Sequence, residues 1–187
     1  MIRGAKKEDA NKIIDLLMVI FRDMELPFLQ TYGEEKTREI LLVAMDEQDY
    51  RYNYHRGIVC ELGGEIAGVA FGYPSNEEPL IDEAFTSILP EHSINQEDTL
   101  FKESETLPEE WYLDSISVDK GYQGKGVGTE LLKALPHFAK VAHQKKIGLN
   151  VDYSNPKAKK LYEKIGYEEV EDILISGHKY KHMQKDV

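Results

Sequence analysis

The segment Gln123–Thr129 constrains the fold of this chain most, because it places three glycines between a strand-like run and a helix-like run. The preceding run, Trp111–Val118, is rich in aromatic and β-branched residues, and a helical pattern opens at Thr129. A glycine-rich turn from a strand into a helix exposes backbone N–H groups, and the helix dipole adds partial positive charge there. The segment therefore predicts a strand–turn–helix unit with a site for phosphate oxygens.

Two common phosphate-binding motifs fit the spacing poorly. A P-loop requires G-x-x-x-x-G-K-[ST], and although Gly121 and Gly126 have this separation, Val127 stands where the lysine is needed. A dinucleotide fingerprint requires G-x-G-x-x-G, and after Gly124 and Gly126 the third glycine, Gly128, comes one position early. The spacing thus disfavours a nucleotide hydrolase and weakens the dinucleotide interpretation.

The pattern Q/R-x-x-G-x-G/A is met by Gln123, Gly126 and Gly128. The strand before it and the segment Asn155–Tyr167, which ends in a glycine–tyrosine pair, complete a context that resembles the GCN5-related N-acetyltransferase (GNAT) family. The resemblance is specific from about Trp111 to Tyr167. It implies that the turn holds the pyrophosphate of acetyl-CoA.

The resemblance also implies how the rest of the donor is bound. The pantetheine arm of acetyl-CoA enters a gap in the sheet and pairs with exposed strand backbone, in the manner of an added strand. Lys125 can neutralise phosphate, and Asn155 can both cap its helix and contact the cofactor. The implied cofactor-binding residues are Ile116, Ser117, Val118, Gln123, Gly124, Lys125, Gly126, Val127, Gly128, Thr129 and Asn155.

The hydrophobic pattern predicts, in chain order, a strand, two helices, three strands, a helix, a strand, a helix and two strands. The first helix starts near Asp9 and is ended or interrupted by Pro27, and the second starts near Glu34. This order matches the mixed α/β GNAT fold, in which helices flank a central, twisted, mostly antiparallel sheet that splays between strands 4 and 5. We expect one domain over residues 1–187, a length that can bury a substantial core.

Acetyl transfer to an amine needs a base for the amine and an acid for the departing thiolate. The resemblance implies that Tyr162, on the late helix, is the acid. Asp114 is the candidate base, with Glu110 as an alternative, each acting directly or through water. Strict strand alternation would place Asp114 on the same face as Ile116 and Val118, opposite Ser115 and Ser117.

The charge of the chain bears on its partners. A net charge of −11 argues against a sequence-independent nucleic-acid binder. Residues 74–110 contain eleven acids and one lysine, whereas residues 120–187 contain thirteen lysines and eight acids. The basic C-terminal part suits a phosphate-rich donor, and the acidic segment predicts a cationic acceptor such as a polyamine, an amino sugar or a peptide amine. The resemblance implies that the acceptor is bound by the first two helices and the loops near the fourth strand, which include this acidic segment and the aromatic residues Phe28, Tyr32, Tyr50, Tyr52 and Tyr54.

Further features limit compartment and cofactors. No apolar run is long enough to span a bilayer, and no signal peptide is visible, so neither a membrane partner nor secretion is expected. Cys60 is the only cysteine, which fits a reducing cytoplasm. No His, Cys, Asp and Glu set has metal-ligand spacing, so no metal is expected. An edge strand in the C-terminal hairpin offers a surface for a homodimer.

The sequence therefore predicts an acetyl-CoA-dependent N-acetyltransferase that acts on a primary amine of a small molecule or peptide by direct attack in a ternary complex. The alternative is a non-catalytic acyl-CoA-binding or regulatory module on the same fold, because a fold does not fix a function.

Overall fold

The computed structural model describes residues 1–187 and contains one seven-stranded sheet. Its order is β1-β2-β3-β4-β5-β7-β6, and all neighbouring strands are antiparallel except the parallel pair β4 and β5. The strands are β1 (Ile2–Gly4), β2 (Gly57–Leu62), β3 (Glu65–Pro74), β4 (Trp111–Val118), β5 (Lys146–Asp152), β6 (Glu168–Ile175) and β7 (His178–Asp186). The predicted mixed α/β, mostly antiparallel fold is confirmed.

Five helices flank this sheet: α1 (Ala10–Asp23), α2 (Pro27–Ala44), α3 (Glu83–Ile88), α4 (Val127–Val141) and α5 (Pro156–Ile165). The prediction that a helix starts near Glu34 is confirmed for the second of two helical segments that α2 joins across a kink at Gly33; the first segment, which begins at Pro27, was not predicted. Pro27 occupies its first turn, where a missing N–H costs nothing, and Gly33 breaks the helical geometry with φ 80° and ψ 167°. No helix in the structure combines the length and apolar character needed to cross a membrane.

The sheet separates two hydrophobic cores, since successive side chains of a strand point to opposite faces. Val59, Val69 and Phe71 pack with α1 and α2 on one face. Ile58 and Ala70 pack with α4 and α5 on the other. Helices α1 and α2 therefore pack on one face of the central strands and α4 and α5 on the other, which holds the middle of the sheet in place.

Pairing between β4 and β5 covers only three residue pairs, from Trp111–Ile147 to Leu113–Leu149. Beyond Leu113 the two strands diverge, as the predicted splay between strands 4 and 5 requires. The β5-facing edge of residues 114–118 therefore has no strand partner, and its backbone groups are open to an extended ligand.

A β-bulge lies at the start of this divergence. Leu113 pairs with Gly72 and Ser115 pairs with Phe71, so Asp114 has no partner on β3. A bulge re-aims side chains, and here the Asp114 carboxylate contacts Arg51 and Ser115. The expectation from strict alternation is therefore wrong, because Asp114 lies on the Ser115 side of the strand and Ile116 packs on the other.

The predicted C-terminal hairpin is formed by β6 and β7, which turn at Ser176 and Gly177, and β7 lies between β5 and β6 in the sheet. Strand β6 is consequently an edge strand. Its side chains include Glu168, Glu169, Glu171 and Asp172. Charged side chains on an edge strand work against pairing with another sheet.

Candidate active site

The glycine turn, Gln123–Thr129, folds as the sequence predicts. Gly124 and Gly126 adopt φ values of 76° and 83°, which strongly favour glycine, and Gly126 caps α4 in the left-handed conformation. The first backbone hydrogen bond of the helix is donated by the Glu130 N–H to the Gly126 carbonyl. Within this turn, six backbone N–H groups have no acceptor in the protein: those of Gln123, Gly124, Gly126, Val127, Gly128 and Thr129. They form a donor cluster at a helix N-terminus, which suits an anion.

Side chains of the glycine turn contribute less than its backbone does. The Val127 side chain is buried and packs so closely on β3 that a Cβ at Gly68 would lie 2.8 Å from it. Lys125 places its Nζ atom 4.9 Å from the Tyr122 ring centre. A Cβ at Gly128 would meet its neighbours at ordinary contact distances of 3.7 and 3.8 Å. The turn therefore offers backbone N–H groups and one exposed cation, Lys125.

A cleft of about 530 Å³ lies between the diverging strands β4 and β5. Its lining brings together seven of the residues predicted from the sequence: Asp114, Ile116, Ser117, Val118, Gln123, Asn155 and Tyr162. The other turn residues, Gly124–Thr129, follow Gln123 along the chain without lining the cleft. The glycine turn and the gap in the sheet are therefore connected through Gln123.

Two predicted residues on α5 border this cleft. The Asn155 Oδ1 atom accepts a hydrogen bond from the Ala158 N–H at 3.1 Å, so its predicted cap is confirmed. Tyr162 is buried against Tyr167, with ring centres 6.0 Å apart, and its hydroxyl makes no hydrogen bond within the protein. Burial raises the pKa of Tyr162 to about 12. Its phenol therefore keeps its proton at neutral pH.

Asp114 lines the cleft, but both of its oxygens are engaged. Oδ1 accepts a hydrogen bond from Arg51 Nη1 at 2.6 Å, and Oδ2 accepts one from Ser115 Oγ at 2.8 Å. Burial raises the pKa of Asp114, and Arg51 opposes this effect. As it stands in this structure, Asp114 is an ion-pair partner with no free carboxylate oxygen, which weakens its candidacy as the base.

The alternative base, Glu110, lies outside the cleft and is fully buried. Its carboxylate accepts hydrogen bonds from the Leu107 N–H at 2.8 Å and from Gln184 Nε2 at 2.7 Å. His182 Nε2 lies 3.0 Å from the same carboxylate. Glu110 sits so close to β5 that a Cβ at Gly148 would be 1.9 Å from it. This carboxylate fastens the start of β4 to β7 and cannot meet a substrate.

Glu105 was not predicted from the sequence, yet it lines the cleft and is 4% exposed. Oε2 accepts a hydrogen bond from the Tyr112 hydroxyl at 2.9 Å, whereas Oε1 has no hydrogen-bond partner. Burial raises the pKa of Glu105 to about 8; Arg51 lowers it and Asp114 raises it further. The acidic composition of residues 74–110 pointed to this region, but no spacing singled out one carboxylate.

The cleft is acidic. Asp23 and Asp152 join Glu105 and Asp114 in its lining, and no Lys, Arg or His lines it. The pKa of Tyr180, which also lines the cleft, is raised first by burial and then by the charges of Asp152, Glu105 and Asp23. These three carboxylates therefore lie around one hydroxyl, where a positively charged ligand is favoured.

The aromatic residues expected to line the acceptor region do not line this cleft. Phe28, Tyr50 and Tyr52 are buried in the core beside α1 and α2. Tyr32 and Tyr54 pack against the same core, and Tyr32 donates a hydrogen bond to Asp98 at 2.7 Å. The cleft's own aromatic residues are Tyr112, Tyr162 and Tyr180. The chain has no cluster of three or more His, Cys, Asp or Glu residues arranged to hold a metal.

Comparisons with known proteins agree with this architecture. The family model described as "Acetyltransferase (GNAT) family" matches residues 17–167. A crystal structure described as that of an acetyltransferase is 48% identical with a TM-score of 0.89, and the match covers 100% of this chain and 99% of the other. An N-acetyltransferase from Staphylococcus aureus Mu50 is 28% identical with a TM-score of 0.89, and the match covers 99% and 100%.

A probable spermine N(1)-acetyltransferase from Bacillus subtilis subsp. natto (strain BEST195) is 38% identical over 69 residues. That match covers 36% of this chain and spans 45% of the relative's length. The family model and the full-length structural matches extend much further. On their strength, together with the splayed sheet and the glycine turn, this chain belongs to the acetyltransferase (GNAT) family.

Proposed function

We propose that the protein transfers an acetyl group from acetyl-CoA to a primary amine of a cationic small molecule or peptide. The observation that carries this proposal is one cleft that reaches from Gln123, at the start of the glycine turn with its free N–H groups, to an acidic region between β4 and β5. The first half suits a phosphate-rich donor and the second suits an ammonium. Both substrates would be bound together, and the amine would attack the thioester directly.

The residues of the donor half fit acetyl-CoA. The backbone N–H groups of the glycine turn would donate hydrogen bonds to the pyrophosphate oxygens, with Lys125 nearby to balance the negative charge. The open edge of Ile116–Val118 would pair with the amide groups of the pantetheine arm. Asn155 borders the same passage, and its side-chain amide nitrogen makes no hydrogen bond in the protein.

Tyr162 is the proposed acid. When the amine nitrogen bonds to the carbonyl carbon and the C–S bond breaks, the sulfur needs a proton. The Tyr162 hydroxyl is protonated, unbonded and at the cleft wall, so it can supply that proton. The phenolate would then recover the proton that the amine nitrogen loses as it becomes an amide.

We expect Gly126→Ala to raise the Kd for acetyl-CoA about 10-fold. Alanine is strained at φ 83°, and a strain of about 1–2 kcal/mol would be relieved by moving the N–H groups away from the pyrophosphate. Isothermal titration with acetyl-CoA measures the change. Gly63→Ala is the matched control, because Gly63 also has positive φ, at 62°, but lies in the β2–β3 turn. Equal affinity of the two variants would contradict the assigned role of the turn.

The acceptor half supports a cationic substrate. Four carboxylates line it: Arg51 pairs with Asp114 and lies 3.8 Å from Glu105, His178 Nδ1 lies 3.6 Å from Asp152, and Asp23 has no charged partner in the protein. The name of the Bacillus relative, a probable spermine acetyltransferase, is consistent with such an acceptor. We therefore propose that polyamines and other amines with a second positive charge are better acceptors than neutral amines of similar size.

We expect this preference to depend on Asp23, which lines the cleft and is exposed. Asp23→Asn should raise the KM for a polyamine about 5-fold and leave that for a neutral amine unchanged, because one rim carboxylate contributes about 1 kcal/mol to a cation. CoA release over an amine panel measures both. Asp49→Asn, an exposed acid away from the cleft, is the control.

The amine panel also tests the proposed function itself. Acetyl-CoA binding without turnover on any amine would instead support a non-catalytic acyl-CoA-binding module. An absence of acetyl-CoA binding would refute both functions. Equal turnover of neutral and cationic amines would refute the acceptor class alone.

A further inference from the structure

His182 is a fully buried histidine that takes no part in the function proposed above. It lies on β7, and its ring is nearly parallel to that of Tyr112, with ring centres 6.4 Å apart. Its Nδ1 atom is 2.6 Å from Asn150 Oδ1, and its Nε2 atom is 3.0 Å from Glu110 Oε2. Because both ring nitrogens are engaged in a closed site, the neighbours of His182 determine which protons it carries.

A main-chain carbonyl fixes the orientation of the Asn150 amide. One end of this amide is 2.9 Å from the Glu105 carbonyl oxygen. A carbonyl oxygen can only accept a hydrogen bond, so this end is the amide nitrogen, Nδ2. The same nitrogen donates to the Tyr112 hydroxyl at 3.1 Å. The end that faces His182 is therefore the oxygen, and Nδ1 of the histidine must carry a proton to donate to it.

Glu110 determines the state of the second ring nitrogen. Its carboxylate accepts hydrogen bonds from the Leu107 N–H at 2.8 Å and from Gln184 Nε2 at 2.7 Å, and two such donors favour the ionised form. The contact between Nε2 and the carboxylate then needs a proton on Nε2, since imidazole is the stronger base of the two. His182 is therefore an imidazolium that forms a buried ion pair with Glu110.

This chain of contacts ends at a wall of the cleft. Residues 93–110 contain no helix or strand, so side-chain contacts must hold them in place. On one side, Glu78 accepts hydrogen bonds from the Glu105 N–H, at 2.7 Å, and from the side-chain hydroxyls of the two residues that flank it. On the other side, Asn150 donates to the Glu105 carbonyl. Glu105 and Asn150 both line the cleft, whereas His182 does not.

The charge on His182 is needed for this arrangement. A neutral imidazole with its proton on Nδ1 would turn a lone pair towards the Glu110 carboxylate. With its proton on Nε2 instead, it would turn a lone pair towards Asn150 Oδ1, and rotation of that amide would place Oδ1 against the Glu105 carbonyl. Each neutral form leaves two acceptors facing each other in a buried site, which is costly.

We propose that His182 is a positioning residue for the acceptor: as a buried imidazolium it orients the Asn150 amide, which holds residues 104–106 at the acidic end of the cleft. This inference rests on the proposed acetyltransferase function, which assigns the acceptor to that end. The proposed donor contacts are on residues 116–118 and the glycine turn, and none is in this segment. Loss of His182 should therefore weaken acceptor binding and leave donor binding unchanged.

NMR spectroscopy tests the protonation state without any turnover. At pH 7 the 1H–15N spectrum of the 15N-labelled protein should show two His182 ring N–H resonances, both slow to exchange with water because the ring is buried. The spectrum of His182→Phe, which lacks the imidazole, assigns them by difference. A single ring N–H resonance would mean a neutral imidazole and would overturn the inference.

Kinetics test whether His182 acts through Asn150. His182→Phe keeps a ring beside Tyr112 but gives Asn150 no donor, so the KM for a polyamine should rise about 10-fold, the equivalent of losing about one good hydrogen bond. The Kd for acetyl-CoA should not change. Asn150→Ala should have the same effect, and the double variant should be no worse than Asn150→Ala alone. Two effects that multiply in the double variant would contradict action through Asn150.

His137→Phe is the matched control for these measurements. His137 is an exposed histidine on α4 and does not line the cleft, so its variant should keep both constants. A rise in KM in this variant equal to that in His182→Phe would overturn the specific role of His182.

A second variant separates positioning from charge balance. His182→Phe leaves the Glu110 carboxylate buried without its cation, which can prevent folding. Adding Glu110→Gln removes that charge, so the double variant should be more stable in urea than His182→Phe and should still show the raised KM. A KM equal to that of the unaltered protein would mean that His182 only balances Glu110, and would overturn the positioning role.

The possible failures can be told apart. Turnover by the unaltered protein, together with an unchanged KM in His182→Phe, would overturn the role of His182 and leave the proposed function standing. No turnover of any amine by the unaltered protein would overturn the proposed function and, with it, the role of His182 in acceptor binding.

Discussion

Replacing Tyr162 with phenylalanine is expected to lower kcat for acetyl transfer about 100-fold, the lower end of what a positioned acid contributes. The hydroxyl has no hydrogen bond in the protein, so its removal leaves no buried group unsatisfied, and the ring can still pack on Tyr167. The KM for acetyl-CoA and the free energy of unfolding should therefore change little. Initial rates of CoA release at saturating substrates measure the effect.

Tyr167→Phe is the matched control. Tyr167 belongs to the same core cluster and packs against Tyr162, but it does not line the cleft. Its variant should keep the full rate. A similar kcat for the two variants would refute the role of Tyr162 as the acid, whichever way both rates moved.

Replacing Arg51 with methionine is expected to lower the free energy of unfolding by about 3–5 kcal/mol, which is typical of breaking a buried ion pair from one side. Methionine keeps an unbranched side chain but leaves Asp82, Asp114 and Glu105 without their shared cation. It also removes the guanidinium from above the Phe101 ring, 4.0 Å from the ring centre. Urea unfolding at pH 7 measures the loss.

The loss should be smaller in acid. The pKa of Asp114 is raised by burial, so lowering the pH protonates this carboxyl in the folded state and removes its unpaired charge, whereas Glu105, with a pKa of about 8, is already largely protonated at pH 7. Adding Asp82→Asn and Asp114→Asn to Arg51→Met should recover part of the stability. Arg56→Met is the control, because Arg56 pairs with one half-exposed acid, Glu77. A deficit no greater than that of Arg56→Met would refute the charge cluster.

Local signals explain why much of the fold could be predicted from the sequence. The Asn155 cap and the glycine–tyrosine pair at the end of α5 each depend on a few neighbouring residues. Strand β4 was predicted with its observed bounds for the same reason. The glycine turn is also a local signal, so the residues proposed to bind the acetyl donor could be predicted from the sequence.

The acceptor side could not be predicted because its parts meet through long-range contacts. Arg51 lies 63 residues from Asp114, and arginine is rarely buried, so sequence rules place it on the surface. The bulge that re-aims Asp114 adds one residue against β3 and has no signature in the strand itself. Glu105 lies in a segment without periodicity, where one acid among eleven could not be distinguished.

The short pairing between β4 and β5 has a consequence for the lifetime of the protein. An acyl donor bound along residues 114–118 would pair with β4 as an added strand, so part of the stability of the sheet would depend on a bound small molecule. By mass action, a donor at about 100 times its Kd adds about 2.7 kcal/mol to folding stability. At a high concentration of the acyl donor, the protein would then be more resistant to proteolysis, and at a low concentration it would be degraded faster.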